Sequence, residues 1–260
     1  MAVVAGGGGC DHGESYRDRK QLHGRPLIFG AVRRFTYPAR RAVAAAISPS
    51  NTCYAANGED LLAWNWISTI EADVSKVRYL DIGAAHPTLI NNTFFLYRRG
   101  ASGVLVEPDP EQADRLAAAR PRDVVINAGA AFNGCASLTL TKTTNPLLNS
   151  FSRERAANVV EQSQSWSPYN RQRIVGSVEA KLIPANELLT RHFGDGPLHF
   201  LSIDTEGCDF EILKSIDFQR FAPLVICIER QAPVGKHLEV LGAAYRLVFE
   251  STDNFMFARL

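Results

Sequence analysis

From about Gly58 onward, short apolar runs alternate with helix-patterned stretches, and most of the runs stop at an acid or an amide. Val77 to Ile82 reads as a strand, Asn91 to Arg99 as a helix halted by Gly100, and Gly103 to Val106 as a second strand. Pro110 to Arg120 reads as a helix opened by its proline, and Asp123 to Asn127 as a third strand. Later in the chain, Ala185 to His192 reads as a helix, His199 to Ile203 as a strand, Asp209 to Ser215 as a helix and Leu224 to Glu229 as a buried strand. An alternation of this kind calls for a mostly parallel sheet covered by helices on both faces. Tyr245 to Glu250 and Phe255 to Ala258, flanking the turn at Ser251 to Asn254, close it with an antiparallel hairpin. Asp60 to Ile70 is apolar at helical spacing and precedes the first strand.

In an open parallel sheet, ligands bind beyond the carboxyl ends of the strands. Here those ends carry Asp81, Glu107, Asn127, Asp204 and Glu229. The first turn, Asp81-Ile-Gly-Ala-Ala-His86, is not the GxGxxG of a dinucleotide site. It also places a carboxylate where a pyrophosphate would approach. An acid at that place suits a cationic ligand group such as the amino group of a methionine moiety. Glu107, twenty-six residues on, suits ribose hydroxyls. Together they fit S-adenosylmethionine better than a nicotinamide cofactor. Asp204-Thr-Glu-Gly207 delivers two further acids at a strand tip, and Glu229 ends the neighbouring strand. Adjacent carboxylates of this kind suit either a divalent cation such as Mg2+, held by Asp204 and Glu229, or a carboxyl raised in pKa to act as a base. His86 stands where it could serve as a base instead.

Charge and cysteine usage exclude several alternatives. With 28 Lys and Arg against 27 Asp and Glu, the chain lacks the basic footprint of a nucleic-acid binder. Its five cysteines show no CxxC spacing, which argues against a cysteine zinc site and for free thiols, with the cytoplasm as the expected location. No apolar run approaches the length of a membrane span. Homo-oligomer formation stays open.

Residues 1–45 differ in kind. Gly6 to Gly9 is a glycine tract, Met1 to Arg41 carries eight basic against three acidic residues, and neither structural period appears, so this segment reads as a flexible basic arm. Residues 46–260 form one domain, interrupted at about 143–177 by a polar, turn-rich insertion expected to act as a lid.

The ordered segments Asn57-Gly-Glu-Asp60, Tyr79-Leu-Asp-Ile-Gly-Ala-Ala-His-Pro87, Asn92-Thr93, Tyr97-Arg-Arg-Gly100 and Val106-Glu-Pro108 resemble those of the FkbM-type methyltransferases. So do Arg120-Pro-Arg-Asp123, Leu148-Asn-Ser-Phe-Ser152, Phe200-Leu-Ser-Ile-Asp-Thr-Glu-Gly207 and Pro223 to Glu229. The resemblance runs from about Gly58 to Ala258. It departs at Ala55-Ala56-Asn57, where Ser-Gln is frequent before the Gly-Glu-Asp, and at Ala85, where Asn is common.

What the resemblance implies is a class I methyltransferase (Rossmann-like) fold, with a mostly parallel seven-stranded sheet, and S-adenosylmethionine as cofactor. Asp81, Gly83 and Ala84 would hold its methionine part, Glu107 and Pro108 its ribose, and Asn127 and Ala128 would lie near the adenine. Asp204, with Glu206 nearby, would stand over the transferring methyl. The expected reaction is methyl transfer to a hydroxyl of a sugar, glycolipid or other small natural product. Its base is His86 or Asp204, or a divalent ion on Asp204 and Glu229 lowers the hydroxyl's pKa. Asn149, Phe151, Trp166 and Tyr169 of the insertion are the expected acceptor contacts. The alternative is a non-catalytic S-adenosylmethionine-binding module on the same fold.

Overall fold

The computed structural model describes residues 52–132, 134–165 and 167–260. The basic arm and Trp166 lie outside these residues.

Seven strands form the central sheet: β1 (Arg78–Ile82), β2 (Ser102–Val106), β3 (Val124–Ile126), β7 (Phe200–Ile203), β8 (Val225–Glu229), β9 (Tyr245–Glu250) and β10 (Asn254–Arg259). They run in the order β3-β2-β1-β7-β8-β10-β9. The first five are mutually parallel, and β10 is antiparallel to both β8 and β9. The parallel sheet, the helices on its faces and the closing hairpin are as the sequence pattern requires.

Every inner strand is buried on both faces, which explains why these runs are almost continuously apolar. Side chains alternate between the faces. Leu80, Ile82, Val106, Leu201 and Ile226 pack into one core together with the helices α5 (Ala185–His192), α6 (Asp209–Ser215) and α7 (Val234–Leu241). Tyr79, Leu105, Phe200, Cys227 and Met256 pack into the other, beneath α1 (Glu59–Ile67), α2 (Phe94–Arg98) and α3 (Pro110–Ala119). Asp81 shares a strand face with Tyr79, so its carboxylate is directed toward the α2–α3 side.

Three local differences from the sequence reading have physical causes. The helix expected from Asn91 begins only at Phe94, because Asn91 Oδ1 accepts the Thr93 N–H at 3.1 Å and holds the chain in a turn. Between β8 and β9 the chain forms α7, eight residues around an internal Gly235 that weakens the helical signal. Flanking the insertion, β4 (Gly129–Ala131) and β5 (Ser137–Thr143) before it and the eleven-residue β6 (Ile174–Pro184), which begins at its end, form a second sheet in the order β4-β6-β5. The insertion itself contains helix α4 (Arg153–Ser163), which starts at Ser152, whose hydroxyl accepts the Arg155 N–H at 3.2 Å. The described cysteines Cys53, Cys208 and Cys227 form no disulfide, and no helix among the described residues is long and apolar enough to cross a membrane.

Candidate active site

The strand order reverses its direction of growth between β1 and β7, and the ligand crevice of an open α/β sheet lies at such a point. There the turn after β1 passes directly over the tip of β7. Gly83 adopts φ +86°, and a Cβ on it would stand 1.8 Å from the Asp204 carbonyl oxygen. The backbones are pinned as well, since the Asp204 N–H donates to the Ile82 carbonyl at 2.9 Å and the Gly83 N–H to that of Val106 at 2.9 Å.

Above this crossing lies a partly open cavity of about 200 Å3. Asp81, Glu107 and Asp204 enter it from three neighbouring strands, between apolar surface from Ile82, Leu140 and Ile212. Asp81 is buried and accepts the Thr93 hydroxyl at 2.7 Å. Burial raises its pKa, opposed by Thr93 and by the nearby Arg120. Glu107 accepts the N–H groups of Ala85 and Asp109, each at 2.8 Å, and burial still pushes its pKa up to about 7. Asp204 is half-buried, and its carboxylate has no hydrogen-bond partner among the described residues. Burial and the facing carboxylates of Asp209, Glu206 and Glu229 hold its pKa well above the usual range.

A donor set of acids around an apolar cavity rejects phosphate and favours a ligand with hydroxyls and a positive end. The methionine ammonium and ribose of S-adenosylmethionine fit that set; a pyrophosphate does not.

The model of the methyltransferase FkbM domain matches residues 81–250, from the first strand's acid to the end of β9. The chain belongs to the FkbM methyltransferase family. Its sheet, with the antiparallel hairpin strand next to β8, is that of the class I methyltransferases. No curated protein sequence matches this FkbM methyltransferase. Among solved structures it is similar to yhhF of Escherichia coli, with 12% identity, a TM-score of 0.42, and coverage of 78% of this chain and 86% of the other. A TehB-like SAM-dependent methyltransferase of Corynebacterium glutamicum matches with 12% identity and a TM-score of 0.38, over 86% of this chain and 96% of its own. The O-methyltransferase of Bacillus cereus, solved with SAH, matches with 12% identity and a TM-score of 0.39, over 85% and 87%.

Not every expected residue of this FkbM methyltransferase reaches the cavity. His86 does not line it: its Nδ1 accepts the N–H groups of Thr88 at 3.1 Å and Leu89 at 2.9 Å, which makes it a turn cap. Glu206 borders the cavity, but its carboxylate is held by Arg155 at 2.5 Å and 2.9 Å, so it is not available as a base. Asn127 is exposed and donates to the Glu107 and Pro108 carbonyls. Ala128 is buried behind the cavity wall, and Gly129 and Ala130 line it instead. Gly83, Ala84 and Pro108 do line it, as do Asn149 and Phe151. Asn149 is tied to the wall, its Oδ1 accepting the Thr143 N–H at 2.9 Å and its Nδ2 donating to Asp109 at 3.0 Å. Tyr169 is 98% exposed and does not line the cavity.

The expected Asp204–Glu229 pair gains Asp209, and the three offer oxygens within 4.8 Å of one another. Two of them already have partners. Glu229 pairs with Arg155 and accepts from Gln231, and Asp209 accepts the N–H groups of Thr205 and Gly207 together with Gln231. Of the three, Glu229 alone is paired with the Arg155 cation.

The sequence reading missed Arg155 and Arg120. Arg155 sits in an insertion read as loop, and Arg120 at a helix end looks like an ordinary solvated cation. The sequence signals for Arg120 were its spacing to Asp123 and the resemblance carried by Arg120-Pro-Arg-Asp123, neither of which gave it a role.

Proposed function

We propose that this protein transfers a methyl group from S-adenosylmethionine to a hydroxyl oxygen of a small acceptor, a sugar, glycolipid or other hydroxylated natural product, in the cytoplasm. When bound, S-adenosylmethionine supplies an electrophilic methyl on a sulfonium that leaves as a neutral thioether, so the protein's own task is chiefly alignment. Alignment of this kind accounts for about 7–11 kcal/mol of a barrier. In this reading Asp81 binds the methionine ammonium, Glu107 the ribose hydroxyls, and Gly129 and Ala130 border the base. Asn149 and Phe151 hold the acceptor from the insertion.

Asp204 takes the proton from the acceptor hydroxyl. The observation that carries this assignment is its carboxylate at the cavity floor with no hydrogen bond, among acids that raise its pKa. A positive charge bound beside it favours the ionised form, so the base is generated where the proton is released. His86 and Glu206, both committed elsewhere, have no part in the proton transfer.

Calorimetric titration with S-adenosylmethionine and S-adenosylhomocysteine tests the cofactor, with micromolar binding, about −8 kcal/mol, as the expected result. Methyl-labelled S-adenosylmethionine incubated with hydroxylated, aminated and thiolated acceptors tests the reaction. Label recovered in an ether supports oxygen transfer, and label only on nitrogen or sulfur refutes it.

A further inference from the structure

Arg120 is the largest fully buried side chain among the described residues, and a buried arginine is costly unless every donor is used. Its Nε donates to Asp123 at 2.7 Å, its Nη1 to Asn91 Oδ1 at 3.1 Å, and its Nη2 to the Tyr79 hydroxyl at 2.8 Å and the Thr93 hydroxyl at 3.0 Å. The rings of Tyr79, Phe94 and Tyr97 pack against the guanidinium.

A guanidinium only donates, so it fixes the direction of the bonds beyond it. Thr93 Oγ1 accepts from Arg120, which leaves its single proton to give. Two acceptors are in reach, Asp81 Oδ2 at 2.7 Å and Asn91 Oδ1 at 3.1 Å. Asn91 Oδ1 already receives Arg120 Nη1 and the Thr93 N–H, so both of its lone pairs are taken. The Thr93 proton therefore goes to Asp81. Tyr79 repeats the logic: it accepts from Arg120 and donates to Asp123 at 2.8 Å.

Charge follows the same division. Arg120 and Asp123, both with fully buried side chains, neutralise each other at 2.7 Å. Asp81 receives hydroxyls, from Thr93 and Ser202, and no guanidinium bond, so its carboxylate is not paired off by Arg120 and stays free for a cation at the cavity.

We infer that Thr93, oriented by Arg120, is a positioning residue that aims the Asp81 carboxylate at the ammonium group of the cofactor. This rests on the cofactor reading proposed above. It adds that affinity for the amino-acid end of the ligand depends on a hydroxyl that never touches it.

The test compares two ligands on three proteins by calorimetry. S-adenosylhomocysteine carries the ammonium; 5′-methylthioadenosine keeps the adenosine and sulfur but lacks it. Thr93→Val should weaken S-adenosylhomocysteine about tenfold, the usual cost of one hydrogen bond to a charged group. It should leave 5′-methylthioadenosine unchanged, which also shows that the cavity is intact. Thr93→Ser, which keeps the hydroxyl, should restore the S-adenosylhomocysteine affinity. Equal losses for both ligands, or no loss for either, overturn the inference while leaving the cofactor in place. A wild-type protein that binds neither ligand overturns the cofactor reading, and the inference with it.

Discussion

The Glu107 carboxylate accepts the Ala85 N–H at 2.8 Å, joining the end of β2 to the turn that follows β1. Burial outweighs this bond and its twin from Asp109, and the pKa rises from 4.5 to about 7. The folded protein therefore holds this proton more tightly than the unfolded chain does. The resulting stability is fully present below about pH 4.5 and is lost as pH rises through 7, on the order of 3 kcal/mol in all. Asp209, also raised to about 7, acts in the same direction. Thermal melts between pH 5 and 8 should show stability falling with pH, and Glu107→Gln should flatten the slope.

Ligand hydroxyls donating to Glu107 favour its ionised form, so cofactor binding near pH 6.5 should release up to about one proton. Titrations in buffers of different ionisation enthalpy measure that number directly. Heats that do not depend on the buffer would remove Glu107 from the ribose.

Asp204 stands alone among acids, and its amide analogue should separate binding from chemistry. Asp204→Asn keeps the shape of the side chain and removes a carboxyl that burial and its acidic neighbours resist ionising. The melting temperature should hold or rise, S-adenosylhomocysteine affinity should stay unchanged, and turnover should fall by about 10²–10⁴, the usual worth of a general base. Full activity in this variant would exclude Asp204 as the base.

The central sheet was legible in the sequence because fully buried parallel strands leave no choice but apolar runs, and Asp81, Glu107 and Asp204 interrupt those runs at their tips. The helix α4 was not legible, since its polar face and exposed setting give little apolar period. The long strand β6 was hidden for a related reason: much of it is solvent-exposed, so its residues carry no core pattern. His86 had the right chemistry at the right turn, but its direction depends on two backbone N–H groups that no sequence pattern shows. Arg120 and Asp123 stand three apart in sequence, as many surface pairs do, and only the burial of both distinguishes them.

Gly83 adopts a left-handed backbone at the closest approach of two strands, and Gly242 adopts φ +70° with open space around it. Substituting each by Ala separates conformational strain from steric overlap. Gly242→Ala should cost about 1–3 kcal/mol, the strain of a side chain at φ +70°, ψ −172°, a conformation essentially confined to glycine. Gly83→Ala adds a Cβ 1.8 Å from the Asp204 carbonyl, so the turn and the β7 tip must part. It should lose several kcal/mol and S-adenosylhomocysteine binding together, whereas Gly242→Ala keeps binding. Fluorimetric melts and calorimetry on the two variants check both statements.

Arg155 carries the insertion's hold on the active site, pairing with Glu206 and Glu229 while Ser150 donates to the Glu206 carbonyl at 2.6 Å. Removing one partner of a partly buried ion pair strands the others, at a cost on the order of 3 kcal/mol. Arg155→Ala should therefore lower the melting temperature by about 6–12 °C at the usual sensitivity for a chain of this size. It also strips the paired cation from Glu229, whose oxygens lie with those of Asp204 and Asp209 within 4.8 Å of one another. Millimolar Mg2+ or Ca2+ should then restore part of the lost stability in the variant and leave the wild-type melting temperature unchanged. EDTA should not reduce wild-type turnover, because Glu229 is already paired with Arg155 and Asp209 with backbone N–H groups and Gln231. A wild-type protein inactivated by EDTA and revived by Mg2+ would show instead that Arg155 swings aside to admit a metal.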